Sequence, residues 1–376
     1  MGMLATLSKR IIPFTLVSLA ASAQNIRFEK HILTNEFISE GVAIADVNRD
    51  GKPDILAGAY WFEAPGWARH AIFEGKHYDP QTQFSNSFLD FSFDINQDGW
   101  TDLLRISLPG EEAAWYENPG NKPGYWPMHP LLKNCGNESP ALVDVDRDGR
   151  PDLLCNDPVA KEMIWLKPPS QKDDTTWTRY VIAKGDIPGV NRYSHGLGLI
   201  DMNRDGRPDV VITKGWWECP PNPATPNWTF HPADLGEDCS QIYALDDHNL
   251  ISSSAHNYGT WWHERTDTGW IHHTIYDKVS ETHALAMADV NGDGHPDLVT
   301  GKRYYAHNGE DPGAHDASIL LWLEYKPGPK PSWTPHIIDD SSGVGLQVLV
   351  QDLNKDGLAD IIVSNKNGVF FFEQRR

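Results

Sequence analysis

Short apolar runs separated by polar turns recur along the chain at a spacing of roughly fifty residues, too short and too regular for helices. Each repeat opens on a run of small apolar residues, such as Gly41-Val-Ala-Ile-Ala45 or Ala284-Leu-Ala-Met-Ala288. An acid-rich turn follows, and then a β-branched run such as Asp209-Val-Val-Ile-Thr213 or Asp360-Ile-Ile-Val-Ser364. Next comes an aromatic-x-acid step, as in Trp61-Phe-Glu63 and Trp322-Leu-Glu324, and last a Trp-x-x-His step, as in Trp67 with His70 and Trp333 with His336. Four short strands per repeat, with turn chemistry between them, predict an all-β chain built of propeller blades.

The acid-rich turn reads D-x-[ND]-x-D-G-x-x-D six times. Its side chains are Asp46, Asn48, Asp50 and Asp54; Asp94, Asn96, Asp98 and Asp102; Asp144, Asp146, Asp148 and Asp152; Asp201, Asn203, Asp205 and Asp209; Asp289, Asn291, Asp293 and Asp297; Asp352, Asn354, Asp356 and Asp360. Oxygen ligands at positions one, three and five, with a glycine at six where the chain turns sharply, are how a short loop wraps a hard cation. Position nine would close the cage where the next strand begins. An all-oxygen, ligand-rich set favours Ca²⁺ over Mg²⁺, so up to six structural calcium ions are expected.

The first aspartates of these loops lie 48, 50, 57, 88 and 63 residues apart. The gap of 88 has room for one more unit, and Ala244-Leu-Asp246-Asp247-His-Asn249-Leu-Ile in its middle reads as a loop that has been shortened. The expected fold is therefore a seven-bladed β-propeller with four-stranded blades and cation loops in six of them. The last unit lacks its fourth strand, and Phe28-Glu-Lys-His31-Ile-Leu fits the missing pattern. The N-terminal strand is thus expected to pair into the last blade, closing the ring and leaving no open edge at the seam.

This repeat accounting assigns twelve of the fifteen tryptophans to packing positions, together with His31, His70, His129, His231, His273 and His336. The chain divides into an expected secretory leader over residues 1–23 and a single domain over 24–376. Lys9 and Arg10 precede a short apolar run that ends in Ala21-Ser22-Ala23, which predicts a periplasmic or extracellular protein. No other segment approaches membrane-spanning length. The net charge of −20 becomes −22 without Lys9 and Arg10, and six calcium ions would bring it to about −10. No basic stripe exists to meet phosphates, which argues against nucleic acid. Among Cys135, Cys155, Cys219 and Cys239, an exported compartment permits disulfides, with Cys219–Cys239 favoured.

The loop motif, seven units with one lapse, resembles the VCBS or FG-GAP repeat propellers over residues 26–376. That resemblance implies the fold and the calcium loops, but no one activity, because it spans lyases, adhesins and scaffolds. In such a ring the start of strand one and the end of strand two lie on the face opposite the calcium loops. Six residues before each loop stand Glu40, Phe88, Glu138, His195, Ser240, His283 and Leu346. The ends of strand two contribute His256, Lys302, Arg303 and Tyr304, and also Trp217. The candidate catalytic group is therefore Glu40, Glu138, His195, His256, His283, Lys302 and Tyr304. His195, His283 and a glutamate could hold one further divalent metal at the channel mouth, with Lys302, His256 or Tyr304 moving a proton beside a polarised carbonyl. The segment Asn308–His315 is long enough to cover that mouth.

Ser194-His-Gly-Leu-Gly198, Ser254-Ala-His256-Asn-Tyr-Gly and Thr300-Gly-Lys-Arg-Tyr-Tyr-Ala-His307 are similar to the propeller part of aldos-2-ulose dehydratase-type proteins, though no cupin domains follow here. The resemblance implies dehydration, elimination or isomerisation of a keto sugar by an exported lyase or isomerase. Two other classes stand beside it: a non-catalytic carbohydrate- or protein-binding propeller, and a calcium-stiffened structural module. No G-x-S-x-G elbow supports a hydrolytic nucleophile.

Overall fold

The computed structural model describes residues 26–236 and 239–376; the expected leader lies outside them. The described residues form twenty-seven strands and one short 3₁₀ turn, Ala306–Gly309. The strands make five four-stranded sheets and one of seven, all paired antiparallel. The seven-stranded sheet exists because one strand, Met128–Val143, serves two neighbours. Its first half pairs with Glu111–Tyr116 and its second half with Asp152–Asp157, and the change of partner falls at Cys135 and Gly136. Divided there, the described residues give seven groups of four strands.

Six of these units run in simple chain order, as in Ala43–Ala45, Asp54–Ala57, Tyr60–Glu63 and Ala68–Ala71. The last is different. Val348–Gln351, Asp360–Asn365 and Gly368–Arg375 take their fourth strand from Arg27–Thr34, with Arg27 opposite Arg375 and Ile32 opposite Phe370.

The second strand of every unit is buried along its whole length, because sheets cover it on both faces. First strands lie side by side between units: Ala43–Ala45 beside Leu89–Phe93, Gly198–Ile200 beside Cys239–Ala244, Leu285–Ala288 beside Val348–Gln351. Gly345 shows how tight this approach is. A Cβ there would come within 2.2 Å of the Glu40 carbonyl oxygen and 2.1 Å of that of Ser364, so only glycine lets the last unit meet the first.

The outer strands confirm the packing role of the repeated histidines. His70 stacks on Trp61 at 4.3 Å between ring centres and bonds Glu63 at 2.8 Å. The same arrangement joins His129 to Trp115 and Glu117, His231 to Trp216 and Glu218, His273 to Trp262 and Glu264, and His336 to Trp322 and Glu324. His31 does so across the N- to C-terminal pairing, with Phe371 and Glu373. Each stack contributes on the order of 1 kcal/mol beyond its buried area.

The six acid-rich turns share one geometry. Their sixth-position glycines have φ between 83° and 94°, the left-handed turn expected of them. Asp46 accepts the N–H groups of Asp50 and Gly51 at 3.0 and 2.9 Å. Asp54, at position nine, accepts the N–H of Val47 at 2.9 Å and that of Ala64 at 2.8 Å, tying the loop to the end of the third strand. The shortened turn in the fifth unit is held by Asp246 Oδ1, which accepts the N–H groups of His248 and Asn249 at 2.7 and 2.9 Å.

Two expectations are corrected. No Cys219–Cys239 disulfide forms; all four cysteines are buried thiols. Cys219 follows a third strand beside an acid-rich turn, where its N–H donates to Asp209, whereas Cys239 opens a first strand at the other end of its sheet. The thiol of Cys155 lies instead within hydrogen-bond reach of Cys135. Trp217 is not at a strand-two end either; it lies in the third strand Gly215–Glu218 and points into the core.

Candidate functional site

The residues that break the repeat at strand-one starts and strand-two ends gather into one buried polar cluster. His195, His256 and His283 come from the fourth, fifth and sixth units, and one ring nitrogen of each lies within 4.8 Å of the others. Their ring centres are 4.8 Å apart for His195 and His256, 5.9 Å for His195 and His283, and 6.0 Å for His256 and His283. Glu138, from the third unit, places a carboxylate oxygen 3.4 Å from His195 Nε2. That nitrogen is not aligned for a hydrogen bond, and His283 Nε2, on a side chain only 2 % exposed, has no partner at all. Buried nitrogens left open in this way are costly unless something else fills them.

Three cations stand at the neighbouring strand-two ends. Arg303 is buried, donating to Glu40 at 2.7 Å and lying 3.5 Å from Glu138. Lys302 pairs with Glu281 and donates to Ser280 at 3.1 Å, both lysine and glutamate fully buried. Lys366 stands over the ring of Phe84 at 4.2 Å and donates to the Tyr305 carbonyl at 3.1 Å. Among the described residues, Lys366 has no carboxylate within ion-pair distance.

Six of the seven expected catalytic residues are therefore drawn together: Glu40, Glu138, His195, His256, His283 and Lys302. Tyr304 is not tied to them; its ring neighbour is Tyr305 at 5.9 Å. Three further members were not anticipated. His307 stacks edge-on to His256 at 4.5 Å and lies 5.4 Å from His283. Asp311 accepts a hydrogen bond from His307, and the pair shares a possible ligand set with His256. Both come from the insertion after the sixth unit's second strand, where Tyr305, His307 and Asn308 adopt left-handed backbone angles. His307 ends one of the segments that resemble a dehydratase propeller, whereas the insertion's length was the only sequence signal for Asp311. Lys366 had no signal, since it follows an ordinary second strand.

Along the first strands lies a cavity of about 310 Å³ lined by, among others, Leu89, Ser139, Gln241, Leu285 and Gln347. Gln347 crosses three units at one end of it, accepting the N–H groups of Val42 and Asp90 at 3.1 and 2.8 Å and donating to the Asp90 carbonyl at 2.9 Å.

FG-GAP-like repeat sequences match residues 94–155, and FG-GAP repeats match residues 40–66 and 282–317. The chain thus carries FG-GAP repeats on a β-propeller scaffold. No curated protein matches it. Among solved structures, the extracellular domain of a putative hybrid two-component system, BT3049 from B. thetaiotaomicron, superposes with a TM-score of 0.51 at 12 % identity, over 92 % of this chain and 41 % of that one. The propeller thus spans well under half the length of that neighbour. BBS1N, solved in complex with ARL6DN, superposes with a TM-score of 0.50 at 12 % identity, over 92 % and 94 % of the two chains. At such identities the likeness concerns the fold alone. No helix among the propeller's described residues is long and apolar enough to cross a membrane.

Electrostatics sort the roles at the propeller's mouth. Burial pushes the Glu138 carboxyl up, but His195, Arg303 and His307 outweigh it and hold it at about 2, so it is an anion. Burial, reinforced by the Arg303, His307 and His195 charges, drives His283 well below the ordinary imidazole range and keeps it a neutral donor of a lone pair. Burial also lowers His307, with Arg303 adding to it and Asp311 opposing. Lys366 is brought down to about 8, first by burial and against the pull of Glu40.

That last shift carries a prediction. The folded pKa of Lys366 lies below its unfolded value, so the unfolded chain holds the proton more tightly and the charge opposes folding. The penalty is full below pH 8 and fades as pH rises toward 10.5. Lys366→Met is expected to stabilise the propeller by about 1–3 kcal/mol at pH 7. The gain over wild type should shrink steadily above pH 8 in paired thermal melts and be largely lost once pH passes 10.5, and a gain independent of pH would refute this reading of Lys366.

Proposed function

We propose that the protein is an exported, calcium-loaded seven-bladed propeller. Its axial mouth holds one divalent transition metal on His195, His256 and His283 and acts on a carbohydrate. The observation that carries this is the open face of three converging histidines, with His283 Nε2 buried and unpartnered. Three imidazoles at this spacing suit Zn²⁺ or a similar ion, and three protein ligands leave a position for a substrate oxygen. Bound there, such a metal would polarise a carbonyl or hydroxyl of the sugar.

The chain's own groups do the rest. Glu138, held anionic, sets a negative charge 3.4 Å from His195 Nε2. Arg303 fixes Glu40 and Glu138 in place, and the insertion brings His307 and Asp311 over the histidines as a proton-holding pair. Lys366, a buried cation lacking a carboxylate partner, suits an oxygen-rich ligand, and its neutral form lies within reach of neutral pH for proton abstraction next to a carbonyl. Dehydration, elimination or isomerisation of a keto sugar uses these groups. The pairing of Arg27–Thr34 with Gly368–Arg375 supports a closed ring, and the repeated all-oxygen turns support calcium on the opposite face.

Metal analysis of protein stripped and reloaded with Zn²⁺ and Ca²⁺ tests the reading. One zinc per chain beyond calcium is expected, with His283→Ala and His256→Ala each weakening zinc at least 100-fold while retaining the wild-type circular dichroism. Calcium alone, or zinc bound equally by both variants, would return the mouth to a non-catalytic binding or scaffold role. His283→Ala should also abolish turnover of 3-keto or anhydro sugars.

A further inference from the structure

The third cation loop differs from the other five in a way that touches both its charge and its neighbours. In the first unit, the position-three amide of Asn48 donates to Glu63 Oε1 at 3.1 Å, and Glu63 Oε2 bonds His70. In the last unit Asn354 donates to Glu373 Oε1 at 2.7 Å, and Glu373 bonds His31. The third unit changes all three residues together: Asp146 for asparagine, Lys167 for glutamate and Tyr180 for histidine. Tyr180 keeps the stack, on Trp165 at 4.2 Å. The polarity of the contact to the loop is inverted, because Lys167 now donates to Asp146 and stands 2.6 Å from Asp148.

A second departure lies beneath it. In the first, second, fourth, sixth and seventh units the position-nine aspartate receives a backbone N–H, from Ala64, Asn118, Cys219, Tyr325 and Gln374. The corresponding residue in the third unit is Pro168, which has no N–H. Asp152 Oδ1 is accordingly buried with no donor. Loop three holds four carboxylates, one more than its counterparts, and one hydrogen bond fewer to neutralise them. Asp144, Asp146 and Asp152 place oxygens within 4.8 Å of one another, so the charge is concentrated where a cation would sit.

We infer that the ammonium of Lys167 is the resident cation of loop three, in the place that the other five loops offer to calcium. The inference rests on the calcium reading proposed above. Lys52 and Arg207 also reach loop carboxylates, but each comes from position seven of its own loop and meets only the aspartate at position five. Lys167 arrives from the third strand, is 22 % exposed and bridges positions three and five. A Ca²⁺ entering this loop must displace it against like-charge repulsion at a few ångströms. The third unit is therefore stiffened without metal, and five calcium ions bind the protein tightly rather than six.

Native mass spectrometry of the full protein, at free Ca²⁺ buffered near a value that saturates the tight sites, counts the ions directly. Wild type is expected to carry five, and Lys167→Gln six, with affinity for the sixth raised at least tenfold. The double variant Asp146→Asn with Lys167→Glu rebuilds the arrangement of the first unit and should also carry six, which keeps the test decisive if the single variant folds poorly. Six ions on wild type, or five on all three proteins, would overturn the inference and leave the calcium reading intact. No calcium on any of them would remove the calcium reading, and this inference with it.

Discussion

A chain that begins at Asn35 is expected to unfold as a whole at a much lower temperature than one that begins at Gln24. Arg27–Thr34 is the outer strand of the last sheet, paired with Gly368–Arg375 over seven residue pairs. Ile26 and Phe28 pack against the core that holds Phe370 and Phe372, and Lys30 lies over the Phe370 ring at 4.7 Å while pairing with Asp339 of the preceding unit at 2.9 Å. Deleting the strand opens an edge beside three phenylalanines and removes the partly buried Ile26, Phe28 and Leu33, together worth several kcal/mol. In a closed ring the loss also frees the last unit from the first, so the transition should stay single and fall by 10 °C or more. Scanning calorimetry of the two chains decides it. A truncated chain with an unchanged melting temperature would mean the strand merely decorates the seam, and a separate early transition would mean the last unit melts alone.

The features legible in the sequence were those that repeat. The acid-rich turn returns six times, so its glycine geometry and the pairing of strands on either side could be read before any coordinates. The tryptophan and histidine positions were legible for the same reason: His70, His129, His231, His273 and His336 recur in phase with their aromatic partners, and recurrence in phase marks packing. The mouth was readable by subtraction, since Glu138, His195 and His283 stand where the repeat offers no structural reason for a polar side chain. Subtraction fails where an insertion or a long side chain reaches in from outside the register. His307 and Asp311 arrive on a segment with no counterpart in the other units, and Lys366 reaches the mouth past Phe84 from a strand end that looks ordinary. The cysteines failed for a related reason. Repeat position suggested that Cys219 and Cys239 share a face, yet one follows a third strand and the other begins a first strand, at opposite ends of the sheets.

If the acid-rich turns hold calcium, as proposed above, removing it should have the largest effect of all. Each loop brings three or four carboxylates together, and the described geometry shows what they cost without a counter-ion. Burial, then neighbouring loop aspartates, raises the position-nine carboxyls to about 6 at Asp54, Asp209, Asp297 and Asp360, and to about 8 at Asp102. At neutral pH an empty loop thus holds a buried carboxyl caught between an unfavourable charge and an unfavourable proton. A cation that binds only the folded state at 100 times its dissociation constant contributes roughly 2.7 kcal/mol, so several loops together supply on the order of 10 kcal/mol. Excess chelator is therefore expected to lower the melting temperature by more than 10 °C, and added Ca²⁺, but not an equal ionic strength of NaCl, to restore it. The loss should not be uniform. Hydrogen exchange in chelator should quicken first around the loops that begin at Asp46, Asp94, Asp201, Asp289 and Asp352. The third unit, with Lys167 on its carboxylates, and the fifth, with its short turn on Asp246, should hold their protection longest. A melting temperature indifferent to chelator would mean that the turns are held by their own N–H bonds alone.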